Sequence, residues 1–319
     1  MSAWTLATPR GNKQTHLTPL PCMASLFKRL KNLCTTDRAF LERQYRRRLG
    51  LELDLDDPVT MNEKLQWLKC FYRDPLMTQA ADKVLARELV AELATSEVLN
   101  DEIAVFRDAR EVDLLRLPEQ FVLRPNNGSG GNVICRSRSR REFICDGVPT
   151  EDWSQCVSSL QKHLGENYYW RAREWCYKDI APRLLCEAYM QNDDGALSDF
   201  KVHCFNGTPR AIHVDTARFS GHRRDYFDRS WSHLPFTSNY PMSSTPPPAP
   251  ACLEEILHLA ELLAKPFPFA RVDFYEVGGR PIFGEITFYP EAGYQKFQPD
   301  HGEIDAQLGG WLTLPRQAS

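Results

Sequence analysis

The stretch that most constrains this chain is ARVDFYEVGGRPIFGEITF, residues 270 to 288. Two runs rich in aromatic and β-branched residues flank Gly278-Gly279, the pattern of a hairpin closed by a two-residue turn. Each run carries one carboxylate among apolar neighbours, Asp273 in the first and Glu285 in the second. A carboxylate buried on a strand without a partner is costly, so the two either face water separately or converge on a cation. Register decides between these. A strict two-residue turn pairs Asp273 with Gly284 and puts Glu285 on the opposite face. One extra residue, as in a three-residue loop with a bulge, sets Asp273 opposite Glu285, with Thr287 on the same face. In that second register two hard oxygen ligands with spare positions suit Mg²⁺ held jointly with phosphate oxygens.

A second stretch, FVLRPNNGSGGNVICRS (residues 121 to 137), encloses a bare polar loop between two strand-like runs. Gly128, Ser129, Gly130 and Gly131 lie among the amides Asn126, Asn127 and Asn132. Such a loop is an ordinary turn, or it is a flap whose backbone N–H groups close over phosphates. No Lys-Ser/Thr pair follows the glycines and the GxGxxG spacing is missing, so it is neither a P-loop nor a dinucleotide fingerprint.

Elsewhere helical periodicity dominates from residue 36 to 94. Asp37 is placed to cap AFLERQYRRRLG, with Gly50 as its stop, and Asn62 to cap EKLQWLKCFYRD. AADKVLARELVAELA (80 to 94) reads as one continuous third helix, with Val84, Leu85, Leu89 and Leu93 on one stripe. A further helix spans EDWSQCVSSLQKHLG, and PRLLCEAYM reads as a strand. FKVHCFNGTPRAIHVD is a hairpin about Asn206-Gly207. PMSSTPPPAP (241 to 250) is a loop, because three consecutive prolines fit neither a helix nor a central strand, and CLEEILHLAELLAK (252 to 265) is a helix. Helices interspersed with hairpins predict an α+β fold with mixed or antiparallel sheets.

The formal net charge of −3 gives no signal for nucleic acid, and RSRSRR (136 to 141) reads as a solvated loop. Ten cysteines contain no CxxC pair, and the chain is long for a disulfide scaffold, so they are expected to be reduced in a cytoplasmic protein. No apolar run reaches the length of a membrane span. The first 36 residues lack Asp and Glu, a composition shared by organelle transit peptides and disordered tails. Residues 1–24 are expected to be a flexible, dispensable tail, with the basic stretch Leu26 to Leu33 as a helix beyond it.

The ordered set NEKLQWLKCFYRDPL, ADK, LPEQFVLRPNNGSGGNVIC, YYWRAREWCYKDIAPRLLCEAYM, DFKVHCFNG, DYFD, FPFARVDFYEV and FGEITFYPEAG resembles the TupA-like branch of the ATP-grasp superfamily, named for teichuronopeptide biosynthesis. The resemblance covers about residues 55 to 300. It implies two α+β lobes sandwiching ATP: residues 116–190 with the glycine-rich flap, residues 191–319 with the metal and substrate site, and a mainly helical region over 25–115. By the same resemblance Arg124 takes the place of the strand cation, usually Lys, that reaches the phosphates. Lys83 is a second contact to nucleotide, and Glu187 is the hinge acid meeting adenine or ribose. Asp273 and Glu285 match the Mg²⁺ ligands, with Thr287 where Asn is usual. Lys201 and Arg271 fall near the transferred phosphoryl group. The span VDTARFSGHRRDYFD, rich in Arg218, His222, Arg223, Arg224 and Asp225, offers arginines to an anionic acceptor, and His222 within it and His213 just before it are acid–base candidates.

The activity implied is that of an ADP-forming carboxylate–amine ligase acting through an acyl phosphate. Its implied acceptor is a small molecule or glycan unit, such as a uronic acid, bearing a carboxylate or hydroxyl, joined to an amine co-substrate such as an amino acid or amino sugar. A peripheral association with polysaccharide machinery follows from the same branch. A sugar or glycan kinase of the same fold and a non-catalytic nucleotide-binding partner are the alternatives.

Overall fold

The computed structural model describes residues 35–192, 197–216 and 221–316. The expected tail over 1–24 and the basic stretch after it lie outside the described residues, and the described residues from Asp37 onward form a single unit. Its first helix, α1 (Asp37–Leu49), ends where Gly50 takes a φ of 76° and returns its N–H to the Arg46 carbonyl. Helix α2 (Met61–Phe71) begins two residues earlier than expected. Its cap is Thr60, in a reciprocal capping box with Glu63, rather than Asn62. Asn62 is fully buried inside the helix and donates to Asp305 and to the Gln295 carbonyl. This short amide is a tertiary tie.

The continuous helix expected over 80–94 is two helices, α3 (Pro75–Ala81) and α4 (Ala86–Leu93). Asp82 causes the break. Its buried carboxylate accepts the backbone N–H groups of Val84 and Leu85, and also binds Asn126 and Arg183, each at 2.8 Å. Apolar periodicity runs straight through this point, because the break is made by a side chain bonding to distant elements. Its effect is to free Lys83 from helical geometry and turn it toward the glycine-rich loop.

Two antiparallel six-stranded sheets follow. The first has the order β1 (Glu102–Phe106), β6 (Leu184–Ala188), β2 (Phe121–Pro125), β3 (Val133–Ser137), β4 (Glu142–Cys145), β5 (Val148–Thr150). One face carries Phe121, Leu123, Val133, Cys135 and Phe143 and packs on Cys156, Leu160 and Leu164 of α5 (Trp153–Leu164). The opposite face presents Val122, Arg124 and Ile134. A short helix, α6 (Tyr169–Ala172), leads back toward β6.

The second sheet has the order β10 (His233–Leu234), β9 (Arg223–Phe227), β8 (Thr208–Thr216), β7 (Asp199–Phe205), β12 (Phe269–Val277), β13 (Arg280–Thr287). Its apolar face, with Phe200, Val202, Cys204, Val272 and Phe274, packs on Ile256, Ala260 and Leu263 of α7 (Leu253–Ala264). The other face is polar yet buried: Asp199, Lys201, His203, His213, Arg224 and Asp273 are all largely excluded from solvent. A small ladder of β11 (Thr237–Ser238) with β14 (Phe297–Gln298), followed by α8 (His301–Gly310), closes the unit. Among the described residues no helix is long and apolar enough to cross a membrane. Eight cysteines are described and all are free thiols.

The terminal hairpin combines the two registers that the sequence left open. Val277 pairs with Arg280, so the turn at Gly278-Gly279 is strictly two residues long. The ladder then slips by one, pairing Phe274 with Phe283 but Asp273 with Glu285. Gly284 is the extra residue. A Cβ there would lie 3.0 Å from the Asp273 carbonyl oxygen, so glycine fits the bulge where a larger residue would crowd it. The slip moves Glu285 and Thr287 onto the face that carries Asp273.

The break at Asp82 gives a stability prediction. Asp82→Ala should cost about 3 kcal/mol in chemical denaturation, as expected when one member of a buried charged pair is removed. A cost within measurement error would mean that the carboxylate is not what interrupts the helix.

Candidate active site

The two sheets face one another across a cleft of about 270 Å³. Its lining is apolar at Val122, Ile134, Met190, Leu197 and Tyr275 and polar or charged at Lys83, Arg124, Ser129, Gly130, Lys201, Asp273 and Glu285. An apolar lining combined with a charged one suits an aromatic ring joined to anionic groups. Glu187, on β6 at the junction, is buried and clamped between Arg87 at 3.1 Å and Arg124 at 3.2 Å. Arg124 also donates to the Gly284 carbonyl at 3.3 Å and lies 3.6 Å from Glu285, so one guanidinium joins the two sheets. Burial works against that charge, and Glu187 and Glu285 more than restore it, holding the group above its ordinary range.

The glycine-rich loop is pinned at both ends. Asn126 binds Asp82, the Ala181 carbonyl and the Arg183 N–H, while Asn127 donates to the Glu166 carbonyl. Gly128 abuts Tyr168 so closely that a Cβ would sit 2.6 Å from the ring. Gly131, at φ 76°, abuts His163 and donates its N–H to Asp146. Ser129 and Gly130 at the tip and Asn132 beyond it are exposed, and all three line the cleft. Lys83 reaches the loop from below and donates to the Gly128 carbonyl at 2.6 Å.

Across the second sheet, register places Lys201, Asp273 and Glu285 in one row on β7, β12 and β13. Arg271 grips both oxygens of Asp273 at 2.7 Å and bonds the Thr287 hydroxyl at 3.1 Å. Lys201 donates to Asp273 at 2.9 Å and to Asp199. Burial pushes the Asp273 carboxyl up, against the pull of Arg271 and Lys201. Burial also works to raise Glu285, but Lys83, Arg124 and Arg271 outweigh it and hold that carboxyl at about 2. Among the described residues no cluster of three His, Cys, Asp or Glu side chains could hold a metal alone. The two facing carboxylates and the Thr287 hydroxyl fit a hard cation whose other positions are filled by phosphate oxygens and water. The basic groups now bonded to them are the ones that incoming phosphates would draw away.

A second cleft of about 580 Å³ shares Ser129, Lys201 and Glu285 with the first. Gly128, Arg271 and Thr287 line it, together with Arg224, His222, Glu174 and Tyr289. Arg223 is not brought there. Successive residues of β9 point to opposite faces, so Arg223 is exposed beside Met242, and its neighbour Arg224 turns inward. Arg224 is held by Asp215 at 2.7 and 3.0 Å and by Glu291 at 3.3 Å. Arg218 lies outside the described residues. His213 is buried against His203, ring nitrogens 2.7 Å apart, and burial pushes both well below the ordinary histidine range. His222 stacks on Tyr240 and approaches Asp215 at 3.1 Å.

The family model for TupA-like ATP-grasp proteins matches residues 63–313. This chain belongs to the TupA-like ATP-grasp family. Its two facing antiparallel sheets and the helical segment before them are the ATP-grasp architecture anticipated from the motifs. No curated protein matches it. Among solved structures it is similar to the D-alanine–D-alanine ligase of Bacillus anthracis complexed with ATP, at 15% identity and a TM-score of 0.37, covering 66% of this chain and 55% of that one. The D-alanine–D-alanine ligase of Helicobacter pylori aligns at 13% identity and a TM-score of 0.40, over 79% of this chain and 69% of that one. An L-amino acid ligase from Bacillus licheniformis aligns at 12% identity and a TM-score of 0.38, over 69% and 46% respectively.

Several residues of this ATP-grasp site escaped the motifs. Asp199 stands two residues before Lys201 on the same strand face, a period-two signal available in SDFK. Arg224 stood beside Arg223 in the arginine-rich span, and the frame of β9 is what tells which of the two turns inward. Arg87 and Glu174 carry no local signal, because each arrives from a distant helical segment.

The depressed Glu285 carboxyl has a pH consequence. A group held at about 2 against an ordinary 4.5 contributes stability that is present above about 4.5 and lost as pH falls toward 2. Glu285→Gln should therefore lower the melting temperature at neutral pH, and its gap from wild type should narrow over that window. A gap independent of pH would contradict the ion cluster.

Proposed function

We propose that this ATP-grasp protein is an ADP-forming carboxylate–amine ligase. One observation carries the reading. The first cleft and the wider polar cleft meet at a shared wall of Ser129, Lys201 and Glu285. A terminal phosphate in the first cleft would therefore lie against an acceptor held in the second. The apolar end takes the adenine, Glu187 meets adenine or ribose, and the tip amides of Ser129 and Gly130 close over the phosphates with Lys83, Arg124 and Lys201. Mg²⁺ held by Asp273, Glu285 and Thr287 would supply charge neutralisation for the triphosphate.

In the second cleft Arg271 and Arg224 present guanidinium groups suited to a substrate carboxylate. An oxygen of that carboxylate forms a bond to the γ-phosphorus while the bond from γ-phosphorus to the bridging oxygen breaks and ADP departs. The amine nitrogen then bonds to the acyl carbon, the carbon–oxygen bond to phosphate breaks, and the nitrogen loses a proton. Lys201 stands where charge develops between the two clefts, and positioning with charge neutralisation is the main work required of the protein. The family's association with surface polysaccharides supports a uronic acid or similar acidic unit as acceptor. The free thiols support a cytoplasmic setting, with any contact to polysaccharide machinery peripheral.

The test is ADP release from Mg-ATP with a hexuronic acid and an amine offered singly and together. A ligase of this kind releases ADP only with both. Release with the sugar alone, yielding a phosphate ester, would make the protein a kinase, and nucleotide binding without any release would make it a binding partner. Lys201→Met should lower kcat by about 10² or more, as loss of a group stabilising transition-state charge does, with little change in the KM for ATP.

A further inference from the structure

A third cavity, of about 560 Å³, adjoins the second cleft, and Arg48 and Glu291 line both. Three cations converge on it: Arg47 and Arg48 from the last turn of α1, and Lys296 from the segment just before β14. A helix C-terminus draws cations, which accounts for arginines in that turn but not for a lysine brought to them from the far end of the chain. Arg46, in the same turn, is paired with Glu52. Among the described residues the Arg47 and Lys296 side chains make no hydrogen bond or ion pair, and the Arg48 guanidinium rests over the Tyr294 ring at 4.7 Å. Glu291, the one carboxylate among the described residues lining the cavity, is already engaged by Arg224 at 3.3 Å.

Tyr294 lines the same cavity, is 5% exposed, and its hydroxyl is buried without a hydrogen-bond partner. A buried hydroxyl is ordinarily satisfied, and one left bare among cations points to an anion that accepts from it. Burial pushes this hydroxyl up, against the pull of Arg48 and Arg47, so it keeps its proton and remains a donor. The chain reaches Tyr294 through Glu291, Ala292 and Gly293, at φ 49°, 56° and 66°. Left-handed backbone at two successive non-glycine residues is costly and persists only where its surroundings fix it. Here it delivers Glu291 to Arg224 and Tyr294 to the cations. Asn239 accepts the Lys296 backbone N–H at 3.2 Å, which ties that segment to the cavity wall.

A single carboxylate is matched by one or two guanidinium groups, and Arg271 and Arg224 already offer these in the second cleft. Two further guanidinium groups, an ammonium and a hydroxyl suit a group with more charge and more acceptor oxygens, which is a phosphate ester. We infer that this third cavity holds the phosphate or diphosphate of a phosphorylated sugar acid whose carboxylate reacts in the adjoining cleft. This assignment rests on the ligase reading and narrows its acceptor to an activated sugar, rather than a free one or a glycan chain. A diphosphate carried by a nucleoside and one carried by a lipid present the same oxygens, so the site reads the chemistry that they share.

The experiment is calorimetric titration of the full chain, loaded with Mg²⁺ and a non-hydrolysable ATP analogue. The probes are a hexuronic acid, its 1-phosphate, its nucleoside-diphosphate and short-alkyl-diphosphate esters, and a trihexuronic acid. At least one phosphorylated form should bind about tenfold or more tightly than the free hexuronic acid, and the tighter of the two diphosphates identifies the carrier. Arg47→Ala combined with Lys296→Ala should remove most of that advantage with nucleotide affinity unchanged, and Tyr294→Phe should reduce it. Both cations are exposed, so their removal leaves the core intact, and should Tyr294→Phe fail to fold the double variant still decides. Equal binding of phosphorylated and free sugar, an advantage that survives the double variant, or a trihexuronic acid bound as tightly as the phosphorylated forms would overturn the assignment. Absence of nucleotide binding in the first place would instead remove the ligase reading and this inference with it.

Discussion

The fold of this protein turns on the burial of opposed charges between its two sheets. Asp273 and Glu285 are brought to one face by a single extra residue, Gly284, and there they meet Lys83, Arg124, Lys201 and Arg271. Neither set could remain in a low-dielectric gap alone. Because Arg124 comes from the first sheet and the carboxylates from the second, satisfying the charges also fixes how the two sheets face each other. The apolar faces turned toward α5 and α7 supply the burial that holds each sheet, and the polar layer between them supplies specificity of placement.

The same economy explains the loop and the helix break. Asp82 interrupts a helix to reach Asn126 and Arg183, and so anchors the base of the glycine-rich loop while delivering Lys83 to its underside. Gly128 and Gly131 are packed against rings, whereas Ser129 and Gly130 are left at the cleft. The loop is therefore held at its root and open at its tip, which is the arrangement required of a backbone that contacts an entering ligand.

Much of this was legible in the residues. Period-two alternation and paired turn glycines give the hairpins, and carboxylates inside apolar strands mark the polar face. Gly284 was harder. The sequence demands an extra residue for Asp273 to meet Glu285, but its place within β13 depends on contacts to Asp273 and Tyr275. Asn62 looked like a helix cap, and only Asp305, far along the chain, makes it an interior residue. The helix over 80–94 was misread for the same reason, since Asp82 answers to distant partners. Arg223 and Arg224 differ by one step of strand frame, and that step decides which of them enters the site.

The most direct test of the account is a crystal structure with Mg²⁺ and a non-hydrolysable ATP analogue. The adenine should lie in the apolar slot beside Glu187. The terminal phosphate should sit beneath Ser129 and Gly130, bonded to Lys201 at the wall between the two clefts, with the metal on Asp273 and Glu285. A nucleotide bound elsewhere, or one whose terminal phosphate points away from Lys201 and the second cleft, would contradict the proposed transfer of phosphate between them.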